Sequence, residues 1–149
     1  MRTIRWIQLL AMAMATTVLA APIARADDKA YTEGSVWNVT LIRIKPGMEE
    51  KYWREVLPMR KKLNEEAMKA GLLISSHVLS GDSSNREDFD VLFLDEYKNY
   101  AAYDGLSAKY DAIFEKIIGN QDKQMKLMDN RAEVREILGV KNMRELLPK

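Results

Sequence analysis

The stretch from Val36 to Ile44, VWNVTLIRI, is dense in β-branched and aromatic residues and is followed by Pro46-Gly47. Such residues fit the pleated, half-buried surface of a strand, so the sequence predicts a first β-strand here. Strand alternation divides it into two faces, one with Val36, Asn38, Thr40, Ile42 and Ile44 and the other with Trp37, Val39, Leu41 and Arg43. Because both faces are largely apolar, we expect both to be covered.

Beyond this strand the apolar residues change to a helical spacing. From Met48 to Gly71 they recur between Lys and Glu, which predicts an amphipathic helix. Pro58 lies inside it and has no backbone N–H, so we expect a kink near Val56 or Leu57. The charged runs at 49–51 and 60–66 are interpreted as solvated helix faces.

Two further strands, at 72–80 and 89–97, flank the polar segment GDSSNRED and predict a hairpin that turns around Asn85. A stripe from Tyr100 to Ile117 predicts another helix, and a third is predicted to end at Gly139. The tail VKNMRELLP is interpreted as a short final strand.

This order of elements predicts an α+β fold. A helical crossover followed by an antiparallel hairpin is the ferredoxin-like split β-α-β plan, with an antiparallel sheet and helices on one face. No internal repeat or interior linker divides the chain, so residues 35–149 are expected to form a single domain with a helical C-terminal extension.

The amino-terminal segment has the features of a secretory signal peptide. Basic Arg2 and Arg5 precede an apolar run, and small residues surround Ala26, so cleavage is predicted after residue 26. A retained anchor is the alternative, but the run is short for a membrane span and ends at Pro22. We therefore expect a periplasmic or secreted product without a stable membrane anchor, beginning with a flexible leader at 27–34.

Composition excludes several classes of function. The 149 residues contain no cysteine, which rules out disulfides and thiolate metal sites. Of the 23 basic residues, Arg2, Arg5 and Arg25 leave with the signal, whereas all 22 acidic residues stay. The mature chain is therefore slightly acidic, and no nucleic-acid partner is expected.

His77 is the only histidine and the first candidate for chemistry. It shares a strand face with Ser75, and Asp95 lies on the next predicted strand. We expect the hairpin to bring these faces together, with His77 opposite or diagonal to Asp95, which would fix its tautomer. A structural or solvent-exposed histidine remains the alternative. One histidine with scattered carboxylates lacks metal-ligand spacing, so no metal site is predicted.

The candidate ligand-binding set is Asn38, Ser75, His77, Asp95 and Tyr110, of which His77, Asp95 and Asn38 are also the catalytic candidates. Asn38 is a polar amide within an apolar strand face and needs hydrogen-bond partners, from a ligand or from neighbouring backbone or water. The aromatic series containing Tyr110 fits either a cleft for a flat ligand or core packing.

The segments VWNVTLIRIKPG and FDVLFLDEY resemble the dimeric α–β barrel superfamily, which includes antibiotic-biosynthesis-type monooxygenases and stress-responsive barrel proteins. The resemblance covers about residues 35–118. It implies a homodimer with sheets packed face to face and pockets between each sheet and its helices. Haem-degrading members use an Asn on the first strand, which Asn38 resembles, but their haem-ligating His is on a helix and His77 is on a predicted strand. No cofactor is therefore expected.

Two functions remain open from the sequence. The first is an exported small-ligand-binding or structural dimeric module, and the alternative is a cofactor-independent monooxygenase-like enzyme acting on a small aromatic compound. Beyond the pair of His77 and Asp95 there is no converging set of acid, base and nucleophile, which favours the first.

Overall fold

The computed structural model describes residues 29–85 and 87–149, so the predicted signal at 1–26 and the first two leader residues lie outside it. Four strands and four α-helices form the domain. Their bounds are β1 Tyr31–Ile44, α1 Glu49–Lys51, α2 Leu57–Lys69, β2 Ser75–Ser80, β3 Val91–Tyr97, α3 Leu106–Ile117, α4 Gln121–Val134 and β4 Arg135–Pro148. A π-helical segment, Tyr52–Val56, joins α1 to α2, and a 3₁₀ turn, Tyr100–Tyr103, precedes α3.

The interruption predicted from Pro58 is confirmed in position. The π-helical segment ends at Val56, and Pro58 lies in the first turn of α2. Proline is tolerated there because the first N–H groups of a helix have no partner within it. The wider π turn also aims Tyr52 and Val56 at the sheet, where both are buried.

The sheet has the strand order β2-β3-β1-β4, and all neighbouring pairs are antiparallel. With a helical crossover between β1 and β2, this is the ferredoxin-like fold that the sequence predicts. The predicted hairpin of β2 and β3 is also confirmed. Within one chain the sheet is open, with β2 and β4 as its edges.

The core lies between the helices and one face of the sheet, in two clusters. The first joins Ile42 and Phe93 of the sheet to Tyr52 and Val56. The second joins Tyr97 to Leu63 of α2, Ile113 of α3 and neighbouring side chains. Helices therefore cover the sheet face that carries the even-numbered residues of β1.

The other side of the sheet, which we call the open face, is apolar, and no helix of the described residues packs on it. Leu79 and Met143, at its two edges, are 52% and 53% exposed. The strand register gives it seven apolar residues: Trp37, Val39, Leu41, Leu79, Leu92, Leu94 and Met143.

Four predicted boundaries are wrong. β1 begins at Tyr31, so residues 31–34 of the predicted leader are strand, and residues 31–33 pair with the end of β4. The second and third strands begin at Ser75 and Val91. The last helix ends at Val134, and residues 135–139 belong to β4. The extension is therefore a helix followed by a long strand, because pairing with β1 outweighs the helical spacing of a short apolar run. No helix within the described residues is long and apolar enough to cross a membrane.

Candidate functional site

A cavity of about 210 Å³ lies between the sheet and the helices, where the two core clusters meet. It is smaller than the roughly 300–1,000 Å³ of sites for drug-sized ligands, so it suits a small molecule. Four lining residues come from the core, and seven add polar or aromatic groups. The core residues are Val56, Leu63, Phe93 and Tyr97, and the others are Arg60, Asn64, Asp95, Tyr110, Phe114, Arg131 and Arg135.

Asp95, at the middle of β3, is the one carboxylate of this lining and is fully engaged. Arg60 Nη2 lies 2.6 Å and 2.8 Å from its two oxygens. The Ser76 hydroxyl donates to Asp95 Oδ1 at 2.6 Å, and Asn64 Nδ2 donates to the same oxygen at 3.3 Å. A carboxylate with a cationic partner and two neutral donors fixes the orientation of those neighbours.

Phe93 is the aromatic floor beneath two of the cations. The Arg60 guanidinium lies 3.6 Å from the centroid of the Phe93 ring, and that of Arg135 lies 5.8 Å from it. Guanidinium groups are attracted to the negative face of an aromatic ring. Phe93 therefore helps to keep both positive charges at the cavity.

Arg131 and Arg135 come from the junction of α4 and β4. Arg131 is in the last turn of α4, where the negative end of the helix dipole favours a cation. Arg135 begins β4, and a β-bulge decides its direction. The register moves from Leu41 opposite Gly139 to Ile42 opposite Ile137, which leaves Leu138 as the extra residue. In a regular ladder Leu138 would pair with Ile42 and Glu136 with Ile44, so Glu136 would face the cavity; the bulge instead turns Arg135 inward.

Positive charge at the cavity exceeds negative charge. Three guanidinium groups line it with one carboxylate, and Asp95 is already bonded to Arg60. Three buried polar atoms have no hydrogen-bond partner among the described residues. They are the Nε of Arg60, the Nε of Arg131 and the hydroxyl of Tyr52. Burial, together with the charges of Arg135 and Arg60, lowers the pKa of Arg131 to about 10. Unpaired buried donors of this kind are costly unless a ligand or water accepts from them.

The far wall carries two phenols. The hydroxyl oxygens of Tyr97 and Tyr110 are 3.4 Å apart, and burial raises the pKa of both side chains. Both tyrosines are therefore neutral at physiological pH. The cavity thus has a cationic end and an aromatic end.

The five candidate residues predicted from the sequence do not lie together in the structure. Asp95 and Tyr110 line the cavity. The predicted juxtaposition of His77 and Asp95 is wrong, because Ser76 is opposite Asp95 and His77 is opposite Leu94. His77 therefore lies on the open face, where its ring stacks on that of Trp37 with the two ring centroids 6.1 Å apart. Ser75 lies there too and donates to Glu96 at 2.6 Å.

Asn38 is opposite Asp95 in the sheet but does not line the cavity. Its Nδ2 donates to Asn142 Oδ1 at 2.8 Å, and its Oδ1 accepts from the Thr40 hydroxyl at 3.3 Å. The Tyr103 hydroxyl also donates to Asn142 Oδ1. These neighbours supply the partners that a polar amide in this strand face requires.

The sequence analysis missed the three arginines. Arg60 belongs to a run interpreted as solvated, yet it lies four residues after buried Val56 and three before buried Leu63. That spacing puts it on the buried helix stripe. Arg131 likewise lies three residues before Val134, which is 1% exposed. No group of residues in the described part of the chain has the composition of a metal site.

Comparison with known proteins adds little to this geometry. No family model and no curated protein matches the chain. A solved structure of a dimeric ferredoxin-like protein from an uncultured marine organism is similar, with 18% sequence identity and a TM-score of 0.39. That similarity covers 78% of this chain and 90% of the other. The assignment of a ferredoxin-like fold therefore rests on the strand order and connections of this chain itself.

Proposed function

We propose that this protein is a small-ligand-binding module whose ligand occupies the cavity between the sheet and the helices. The observation that supports it best is the pair of buried, unpartnered Nε groups of Arg60 and Arg131 at a cavity of about 210 Å³. A purely structural core would leave neither a space of this size nor free donors beside it. Polar groups that converge on a pocket beside aromatic and aliphatic side chains are typical of a ligand site.

The alternative, a cofactor-independent oxygenase, needs a base that can take a proton from its substrate. Among the lining residues Asp95 is the one carboxylate, and its oxygens already accept from Arg60, Ser76 and Asn64. The phenols of Tyr97 and Tyr110 have raised pKa values and hold their protons. Binding without chemistry is therefore the function that these groups favour.

The proposed module is a homodimer in which a second copy covers the open face. The seven apolar side chains of that face span all four strands, and His77 and Trp37 stack among them. An exposed patch of this kind is typical of an interface, and a twofold dimer joins the same patch on both subunits. Its location outside the cytoplasm remains a prediction from residues 1–26 and is decided by mass spectrometry of the chain from its native host.

Fragment binding tests the ligand site. Amide NMR spectra of residues 27–149 are recorded with small aromatic compounds, charged and neutral, at millimolar concentration. We expect shift changes at residues that line the cavity, and their loss in Phe114→Trp, which fills the space. The control Lys61→Gln changes a side chain that is 76% exposed. Perturbations that map elsewhere, or none with any fragment, contradict the proposal.

Light scattering tests the dimer. Leu94 lies opposite Val39 near the centre of the open face. We expect Leu94→Glu to give monomers at micromolar concentration while the unchanged chain is dimeric. Lys61→Gln alters the net charge by the same amount and should leave the dimer intact. A monomeric unchanged chain contradicts this part of the proposal without affecting the ligand site.

A further inference from the structure

Among the described residues that line the cavity, the single carboxylate pairs with Arg60 and leaves Arg131 and Arg135 without one. Arg60 is paired with Asp95, but neither Arg131 nor Arg135 forms a salt bridge with a described residue. Arg135 lies over the Phe93 ring, and the charges of Arg135 and Arg60 both act on Arg131. Buried charges in proteins are normally paired, because an isolated one loses its hydration without compensation.

The positions of these two arginines are built in by the fold. Arg131 is fixed by the last turn of α4, and Arg135 is turned inward by the bulge at Leu138. Exposed surface is available one residue away, since Ala132 and Glu136 are both exposed. If the two arginines served only to make the surface soluble, the neighbouring exposed positions would suit them better. Their place on the cavity side of the junction therefore indicates a role in the site.

The opposite end of the cavity is aromatic and neutral. Phe114 and the phenols of Tyr97 and Tyr110 line it, and the charges that act on both phenols, those of Asp95 and Arg60, are paired with each other. A ligand that satisfies both ends has a flat apolar part and one anionic group. Guanidinium forks match a carboxylate with two parallel hydrogen bonds, which favours that group over a diffuse anion.

We propose that the ligand is a small aromatic carboxylate, held with its carboxylate at Arg131 and Arg135 and its ring against Tyr97, Tyr110 and Phe114. This inference rests on the proposed ligand site and names the chemical class that the site takes. Arg60 adds its free Nε as a further donor but keeps its bond to Asp95. The pKa of Arg131, lowered by burial and by the charges of Arg135 and Arg60, should return toward its ordinary value when the anion binds.

Benzoate and benzamide form the test pair, because they differ in charge and share their ring and size. Titrations followed by calorimetry and by the Nε–H resonance of Arg131 should show benzoate binding, with that resonance shifted. We expect benzamide to bind about tenfold or more weakly. Arg131→Met and Arg135→Met should each weaken benzoate binding by a similar factor and leave benzamide unchanged.

Arg54→Met is the matched control, since the Arg54 side chain is 77% exposed on the outer side of the helical segment. Dispersed amide spectra establish that each variant is folded. If Arg131→Met unfolds, Arg131→Lys replaces it, because lysine keeps the positive charge but lacks the two-pronged guanidinium group. Equal binding of benzamide and benzoate at the cavity overturns the carboxylate proposal while the ligand site stands. Inorganic phosphate that competes as well as benzoate overturns the role of the ring. If neither benzoate nor benzamide shifts the resonances of residues that line the cavity, the carboxylate proposal is contradicted. If no compound of the fragment set shifts them, the ligand site itself is contradicted.

Discussion

Arg60 of α2 donates from a single guanidinium nitrogen to both carboxylate oxygens of Asp95 on β3, at 2.6 Å and 2.8 Å. The two side chains are 17% and 14% exposed, so the pair is shielded from most of the solvent. It connects the longest part of the helical crossover to a central strand. The pair thus holds the helix at the distance from the sheet that keeps the cavity open.

We predict that the two halves of this pair are unequal in energy. Asp95→Asn leaves three guanidinium groups without a carboxylate and should lower the free energy of unfolding by about 3 kcal/mol. Arg60→Met leaves Asp95 with donors from Ser76 and Asn64 and should cost about 1–2 kcal/mol. Urea unfolding measures both, with the midpoint compared at constant slope. Equal losses would mean that the excess of positive charge is not what makes Asp95 necessary.

Arg131 should lower the free energy of unfolding when no anion is added. Burial and two neighbouring cations lower its pKa to about 10, so its charged form is disfavoured in the fold. Arg131→Met should raise the free energy of unfolding by about 1 kcal/mol, because an apolar side chain replaces an unpaired buried charge. Thermal unfolding without added anion is the measurement, and Arg54→Met should not change the midpoint. A destabilised Arg131→Met would indicate that the arginine supports the fold.

The fold could be predicted from local pattern, but the relative faces of β2 and β3 could not. VWNVTLIRI alternates clearly enough that β1 and the division of its residues between two faces follow from the sequence, and Ile42 is fully buried on the helix-covered face. The face of His77 depends on hairpin register, and the eight-residue segment GDSSNRED does not fix that register. A slip of one residue turns every side chain to the other face. His77 and Asp95 were placed together for that reason.

The cationic end of the site could be predicted only in part. Arg60 and Arg131 occur at helical spacing from buried residues, so a stricter reading of the stripe would have found them. Arg135 could not be found in this way. Its inward direction depends on the bulge at Leu138, which arises from pairing with a strand more than ninety residues earlier in the sequence.

His77→Ala should leave ligand binding unchanged. His77 faces away from the cavity and stacks on Trp37, so its removal alters the open face alone. We expect benzoate affinity to stay the same and the dimer to weaken, as seen by calorimetry and by light scattering on one preparation. Asn38→Ala, which removes bonds to Asn142 and Thr40, should cost about 1 kcal/mol of stability and also spare affinity. A loss of binding in either variant would place the site elsewhere.

Alkaline pH should destabilise the domain through its buried phenols. Burial raises the pKa of Tyr103 to about 12 and raises those of Tyr97 and Tyr110 above their ordinary value near 10. Above pH 10 the unfolded chain releases these protons while the folded chain keeps them, so stability is lost as pH rises. The slope approaches about 1.4 kcal/mol per pH unit for each such tyrosine.

Arg131 acts in the opposite sense over this range, because its pKa is lowered in the folded state. Its contribution only partly offsets that of several tyrosines. Urea unfolding at a series of pH values measures the net slope, and tyrosinate absorbance follows the ionisation directly. Tyr97→Phe should reduce the slope, since the protein then has one buried phenol fewer. An unchanged slope in this variant would mean that Tyr97 ionises in the folded protein as it does in the unfolded chain.

Exchanging two neighbouring residues tests whether the bulge at Leu138 determines the chemistry of the site. In the double variant Arg135→Glu/Glu136→Arg, composition and net charge stay constant, but the carboxylate faces the cavity and the cation faces out. The new glutamate would lie near Arg131 and Arg60 and pair with the charge that has no partner. We therefore expect stability to be kept or raised, since the lost pair of Arg43 and Glu136 is exposed on the Glu136 side.

Benzoate affinity should fall by about a hundredfold, because one guanidinium is gone and a like charge repels the ligand. Calorimetry and thermal unfolding on the same samples measure both. Retained affinity with raised stability would mean that the anion does not bind at Arg135, and the bulge would then serve strand pairing alone.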